Sequence, residues 1–156
     1  MSIRLPRIFG ILLVCLVLSL SKAQAAPGNL DFSFGIQGLV LTDTHDILTG
    51  DSGVGAALSV AIHPEGDPNE GKIVAVGFAQ TSGHAFALAR YNPDGSLDTT
   101  FGTHGVIETD IGGEDLLLAV VIYGPEDPNA GKILAAGLSD SLPPSSFALI
   151  RYCPDG

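Results

Sequence analysis

Arg90-Tyr91-Asn92-Pro93-Asp94-Gly95-Ser96-Leu97-Asp98-Thr99-Thr100-Phe101-Gly102 is the stretch on which the reading of this chain turns. It begins as the end of a strand, passes through a Pro-Asp-Gly turn and finishes in a short loop with one aromatic. Proline presets φ for the first corner of a turn, and glycine accepts the positive φ that follows. Pieces of the stretch recur on both sides. Leu30-Asp31, Phe34-Gly35 and Gly38 echo its second half, and Arg151-Tyr152-Cys153-Pro154-Asp155-Gly156 echoes its first. The stretch is therefore a joint between repeating units.

Moving outward from the joint, the chain matches itself three times. Residues 30–43 align with 97–110 at an offset of 67, residues 67–78 with 127–138 at 60, and residues 86–95 with 147–156 at 61. The change in offset places an insertion in the first unit, at the Gly-, Asp-, Ser- and Thr-rich stretch from Asp46 to Gly55. Two units result, at about 28–95 and 96–156.

Each unit reads as four strands. Leu39–Thr42, Ala57–Ile62, Lys72–Phe78 and Ala85–Tyr91 are copied by Val106–Thr109, Leu117–Ile122, Lys132–Leu138 and Ser146–Tyr152. Short apolar runs bounded by Gly, Pro, Asn and Asp carry that signature. In the fourth strand Phe86, Leu88 and Arg90 share one face, and Ala87, Ala89 and Tyr91 the other. Ile73-Val74-Ala75-Val76 is apolar on both faces, so its sheet must be covered twice. No helical period is present outside the N-terminal run, which leaves other sheets as the cover. Ala75, Gly77 and Ala87 are small enough for neighbouring sheets to approach. The expected fold is all-β: tandem four-stranded antiparallel units stacked as propeller blades, incomplete because a closed propeller takes about four to eight.

The string from Phe86 to Gly102, continued by Gly105-Val106 and preceded by Gly71-Lys72-Ile73-Val74-Ala75-Val76-Gly77, resembles the delta-60 repeat family. The resemblance spans about 28–156. It implies an exported bacterial protein of tandem, β-propeller-like repeats, and it supplies no catalytic residues. The family's short turn before the third strand is lengthened here to Pro64–Lys72 and Pro125–Lys132, which alters a loop and not the core. Members usually hold more repeats than two. The chain stops at Pro154-Asp155-Gly156, where the other copy runs on, so a truncated member or a unit that assembles with further copies is expected.

The N-terminus reads differently. Arg4 and Arg7 precede an apolar run from Ile8 to Leu20, followed by Ala23-Gln24-Ala25-Ala26. Basic start, short apolar middle and small residues at alternate positions make residues 1–25 a secretory signal cut between Ala25 and Ala26. The run of about 13 residues falls short of the roughly 20 that span a bilayer. Cleavage would leave Lys72, Arg90, Lys132 and Arg151 against 17 acids, 4 − 17 = −13. Such a surface repels phosphate backbones and disfavours nucleic acid as a partner. Cys15 would leave with the signal, so Cys153 has no intrachain disulfide partner.

Candidate chemistry is sparse. Asn92, Asp94, Ser96 and Asp98 put oxygen ligands at alternate positions, the spacing of a Ca²⁺ loop, but the set lacks the bidentate acid that completes one. An ordinary turn explains the same residues. His45, His63, His84 and His104 show no metal-ligand spacing and read as surface loop residues. Arg90 and Arg151 read as structural ion-pair or turn clamps, with Asp98 or Asp94 as partner. Phe34 and Phe101 read as plugs between blades, and Asp67-Pro68-Asn69 and its copy as exposed turns. No nucleophile elbow, zinc helix or phosphate-binding loop occurs. The leading expectation is a secreted, non-catalytic binding or scaffold module for a protein or glycan. The alternatives are a fragment of a propeller enzyme, hydrolase or lyase, using acids such as Glu108 and Asp110, and a Ca²⁺-stabilised cell-surface repeat.

Overall fold

The computed structural model describes residues 28–42, 55–80, 83–141 and 144–156. Seven strands form: β1 Gly55–Ile62, β2 Ile73–Gln80, β3 His84–Tyr91, β4 Val106–Thr109, β5 Asp115–Ile122, β6 Ile133–Ser139 and β7 Ser146–Tyr152. They make two antiparallel sheets, one of four strands in the order β1-β2-β3-β4 and one of three in the order β5-β6-β7. The fold is all-β, and the two sheets do not close on themselves. Among the described residues no helix is long and apolar enough to cross a membrane. The export signal and its Ala25–Ala26 cut, His45, and residues 46–54 of the expected insertion lie outside the described residues.

Two expectations change. Leu39–Thr42 forms no strand; the described segment has only an isolated bridge between Ile36 and Leu39. Its copy Val106–Thr109 is a strand, but it closes the first sheet, with Phe86 opposite Thr109 and Ala89 opposite Val106. The sequence period and the sheet are out of phase by one strand. The cause is the joint itself. Asp98 N donates to Arg90 O (2.9 Å) and Arg90 N to Gly105 O (3.1 Å), so the chain folds straight back along β3. A strand exists only where a neighbouring backbone is present to pair with it. Val106–Thr109 has β3, and Leu39–Thr42 has no such neighbour among the described residues.

The sheets stack face to face. Val74, Val76, Phe86 and Leu88 from the first sheet meet Leu117, Val120, Ile133 and Ala135 from the second, with Phe101 sealing the end of the layer. The alternation along β3 thus falls as its sequence implies, and Phe101 is the plug it was expected to be.

Gly77 serves a different purpose from the one expected. β1 carries an extra residue against β2 between Ala57 and Ser59, and β5 repeats the irregularity between Leu117 and Ala119. At these bulges the strand backbone presses onto the glycine opposite. A Cβ on Gly77 would lie 1.8 Å from Ala56 O, and one on Gly137 1.8 Å from Leu116 O. The close approach is within each sheet, not between sheets. Because the obstacle is backbone, it has no rotamer by which to move aside. Gly77→Ala is expected to cost about 3 kcal/mol or more in a chemical unfolding curve.

Candidate functional site

The polar residues of the chain gather where the first sheet, its crossover and the last turn of the second sheet meet. Arg90 stands at the C-terminal end of β3 and is buried. Its Nε donates to Asp98 Oδ2 at 2.7 Å, and Lys72 Nζ donates to the same oxygen at 2.8 Å. Asp98 Oδ1 accepts from Thr100 N (3.2 Å) and Thr100 Oγ1 (2.6 Å). Both carboxylate oxygens are thereby spent. Burial pushes the Asp98 carboxyl up, but the donors on Lys72, Thr100 and Arg90 outweigh it and hold the group far below the usual carboxylate range. The Arg90 guanidinium also donates through Nη1 to the Pro154 carbonyl and lies 4.5 Å from the Phe101 ring centroid. One side chain therefore ties the crossover that follows β3 to the turn that follows β7. A planar fork with several fixed donors suits that task, and a lysine would not reproduce it.

Beside this joint lies a second buried pair that the sequence reading placed at the surface. His63 is 2 % exposed and Asp67 is also buried. The loop between β1 and β2 folds over them. His63 N donates to Lys72 O (2.8 Å), Gly71 N to His63 O (3.1 Å), and Asn69 N to Asp67 Oδ1 (2.7 Å). His63 Nδ1 lies 3.2 Å from Asp67 Oδ1. Burial pushes the His63 imidazole below its ordinary value; Asp67 pulls it up, and the charges on Arg90 and Lys72 add to the lowering. Neutral His63 thus favours the folded state above the ordinary histidine pKa of about 6.5, and that stability is lost as the pH falls below it. Between pH 7 and 5 this group is expected to lower the unfolding free energy of the wild type by at most ~1.4 kcal/mol per pH unit. His63→Gln should flatten the profile in that window while leaving the carboxylate-driven loss at lower pH.

The four candidate Ca²⁺ residues, which an ordinary turn also explains, divide between two hydrogen-bond networks. Asp94 Oδ1 accepts from Ser96 N (2.9 Å) and Ser96 Oγ (2.7 Å), and Asn92 Nδ2 donates to Ser96 Oγ (3.0 Å). Those three hold the outer turn, while Asp98 turns inward to Arg90 and Lys72. Among the described residues no group of three or more His, Cys, Asp or Glu side chains is placed to hold a metal ion. His84 pairs with Glu114 and packs on Phe78, and His104 occupies a turn with φ of 54°. Cys153 is exposed. Glu108 lies on β4 opposite Ala87, and Asp110 Oδ1 accepts from Gly112 N.

Chemically, the cluster is a joint between the crossover after β3 and the turn after β7. Arg90, Lys72 and Asp98 satisfy one another. His63 Nε2 has no hydrogen-bond partner among the described residues. Its burial, however, keeps it out of reach of a substrate proton, which a general base must approach within hydrogen-bond distance. The signal that could have exposed the pair was in the repeat: Asp127 and Lys132 recur at the places of Asp67 and Lys72, with Tyr123 at the place of His63.

The joint and the two strands before it carry the likeness to known sequences. Residues 70–101 match the family model described as a β-propeller domain of unknown function, DUF5122. That stretch runs from the loop before β2 through β3 and the turn to Phe101, so it takes in Lys72, Arg90 and Asp98. It supports a propeller-type repeat family. No curated protein and no solved structure matches the chain.

Proposed function

We propose that this chain is a secreted, non-catalytic binding or scaffold module of β-propeller type, akin to the delta-60 repeats, whose loops recognise a protein or glycan. Residues 1–25 act as its export signal, and the exported form begins at Ala26. The observation that carries this reading is the assignment of the repeated polar residues. Arg90, Lys72 and Asp98 satisfy one another at the crossover of the first sheet, and Arg90 also anchors the turn that follows β7. A repeat whose fixed charges serve the joint leaves its exposed loops and open sheet faces for recognition. The acidic balance of 17 Asp and Glu to 7 Lys and Arg directs that recognition away from nucleic acid.

Two measurements test the proposal. N-terminal sequencing of the exported protein should read from Ala26. A panel of glycans and extracellular proteins should yield a ligand that is bound and not converted. Turnover of a glycan or ester that disappears in Glu108→Gln or Asp110→Asn would replace this reading with that of a propeller hydrolase or lyase.

A further inference from the structure

Resting on the propeller reading above, we infer that a second copy of this chain docks head to tail and rebuilds between molecules the sheet–sheet junction found within one. Inside the chain, Phe86 and Leu88 of the first sheet press on the second and are 0 % and 1 % exposed. Their repeat equivalents in the second sheet, Phe147 and Leu149, are 101 % and 70 % exposed. On the receiving side Val120 of the second sheet is 9 % exposed, while its equivalent in the first, Val60, is 62 % exposed. Two apolar faces are thus left uncovered among the described residues. Each copies one half of a contact that this same sequence already makes.

The receiving compartment is open in outline. In the closed junction Ile107, Ala148, Ile150 and Tyr152 form its wall. Their equivalents Val40, Ala87, Ala89 and Tyr91 line a groove of about 180 Å³ on the free face of the first sheet. The crossovers hold the two walls in the same way. Gly102 N donates to Asp155 O (3.0 Å), and Gly35 N to Asp94 O (2.7 Å). Tyr152 Oη donates to Thr109 Oγ1 (3.1 Å), and Tyr91 Oη to Thr42 Oγ1 (2.7 Å). Residues 31–42 therefore sit on the first sheet as residues 98–109 sit on the second.

The charges complete the match. Asp31, the equivalent of Asp98, is exposed, and its carboxylate accepts only from Ser33 N and Ser33 Oγ among the described residues. Arg151 and Lys132, the equivalents of Arg90 and Lys72, reach only the neutral Asn129 Oδ1, at 3.4 and 3.0 Å. A carboxylate lacking cations stands at one end, and two cations lacking a carboxylate at the other. Docking would bring Asp31 of one copy to Arg151 and Lys132 of the next. It would also set Leu39–Thr42 beside β7, supplying the second sheet with the fourth strand that β4 gives the first. The intramolecular register carried over pairs Phe147 with Thr42 and Ile150 with Leu39. Such a contact is heterologous and builds rings or filaments rather than symmetric pairs. Two to four copies of a two-blade chain reach the about four to eight blades of a closed propeller.

Sedimentation velocity over a concentration series, on protein purified after expression of the full chain, tests the inference. Wild type should self-associate. Phe147→Asp and Val60→Asp replace exposed side chains, so each should keep its β-sheet circular dichroism. Each alone should associate about 30-fold more weakly or worse, the loss expected of a central anchor. Mixed one to one, the two variants should form a capped heterodimer, since each retains the face the other has lost. Arg151→Glu should weaken association, and a partner carrying Asp31→Lys should restore it. Wild type that stays monomeric throughout, or Val60→Asp that self-associates as wild type does, would overturn the docking. In the monomeric case a hydrophobic dye separates the two ideas. Strong dye binding would leave the open-ended propeller reading standing without the head-to-tail contact, and no dye binding would sink both.

Discussion

Asp98→Asn should destabilise the folded chain by about 3 kcal/mol, the lower end of the range for breaking a buried ion pair. The side chain is isosteric, so no cavity forms and the loss is electrostatic. Arg90 is buried and would keep its charge without a counter-charge, while Lys72, about a quarter exposed, recovers part of its loss in solvent. In a thermal melt the change corresponds to roughly 10 °C. Asp94→Asn is the matched control: its carboxylate is exposed and bonds only Ser96, so the midpoint should not move. The pH dependence carries the same sign. Asp98 has a folded pKa held below its unfolded value near 4, so its stabilisation is complete above about pH 4 and is lost as the pH falls below that. Asp98→Asn should therefore flatten the acid limb of the stability profile. The neutral limb, which belongs to His63, should be untouched.

The parts of the fold that were legible in the sequence are those with local causes. Alternation along Ala85–Tyr91 places Phe86 and Leu88 on one face, and the Pro93-Asp94-Gly95 turn ends the strand. Both are properties of a few neighbouring residues and survive in the structure. Which sheet a strand joins is different. Val106–Thr109 and Leu39–Thr42 hold equivalent places in the repeat, each opening on two aliphatic residues and ending in Thr, yet only the first is a strand, because only it has β3 alongside. Pairing is a property of the partner, and no window of sequence contains the partner. The bulges opposite Gly77 and Gly137 were hidden for a related reason. A glycine in a strand signals close approach, but not of what.

The site follows the same division. Arg90 paired with Asp98, eight residues away, was readable as a turn clamp because both ends lie in one repeated string. Lys72 as the second donor, and the Pro154 carbonyl as the third anchor of the joint, come from elements far apart in the chain. His63 looked like a loop histidine because Pro64, Glu65 and Gly66 follow it. That loop folds back through Gly71 N to His63 O, and the second sheet's loop covers it, with Pro125 against Gly66. Burial of a polar residue in a turn-rich segment depends on what packs over the turn. Tyr123 at the equivalent place, beside the recurring Asp127 and Lys132, was the hint that the position faces inward.

Phe86→Ala and Phe147→Ala form the other decisive pair, because the two residues hold the same place in the same strand of successive repeats. Phe86→Ala should cost ~3–5 kcal/mol, the range for emptying a fully buried aromatic site. It belongs to the same buried cluster as Leu117, Val120 and Phe101, and the bulged backbone of β5 has little freedom to collapse inward. Phe147→Ala, measured in dilute solution where copies stay apart, should leave the midpoint unchanged, since the ring is fully exposed. Identical chemistry at equivalent positions would then differ only by the presence of a following sheet. The second measurement is to repeat both melts at rising protein concentration. Association stabilises whatever binds the native state by mass action, so the wild-type midpoint should climb with concentration. The Phe86→Ala midpoint should climb in parallel from its lower start, because its outer faces are intact. The Phe147→Ala midpoint should stay flat. If all three curves were flat, the energetic difference between the two phenylalanines would be a matter of one junction within one chain. If only Phe147→Ala is flat, the same few side chains hold blades together whether or not a peptide bond connects them.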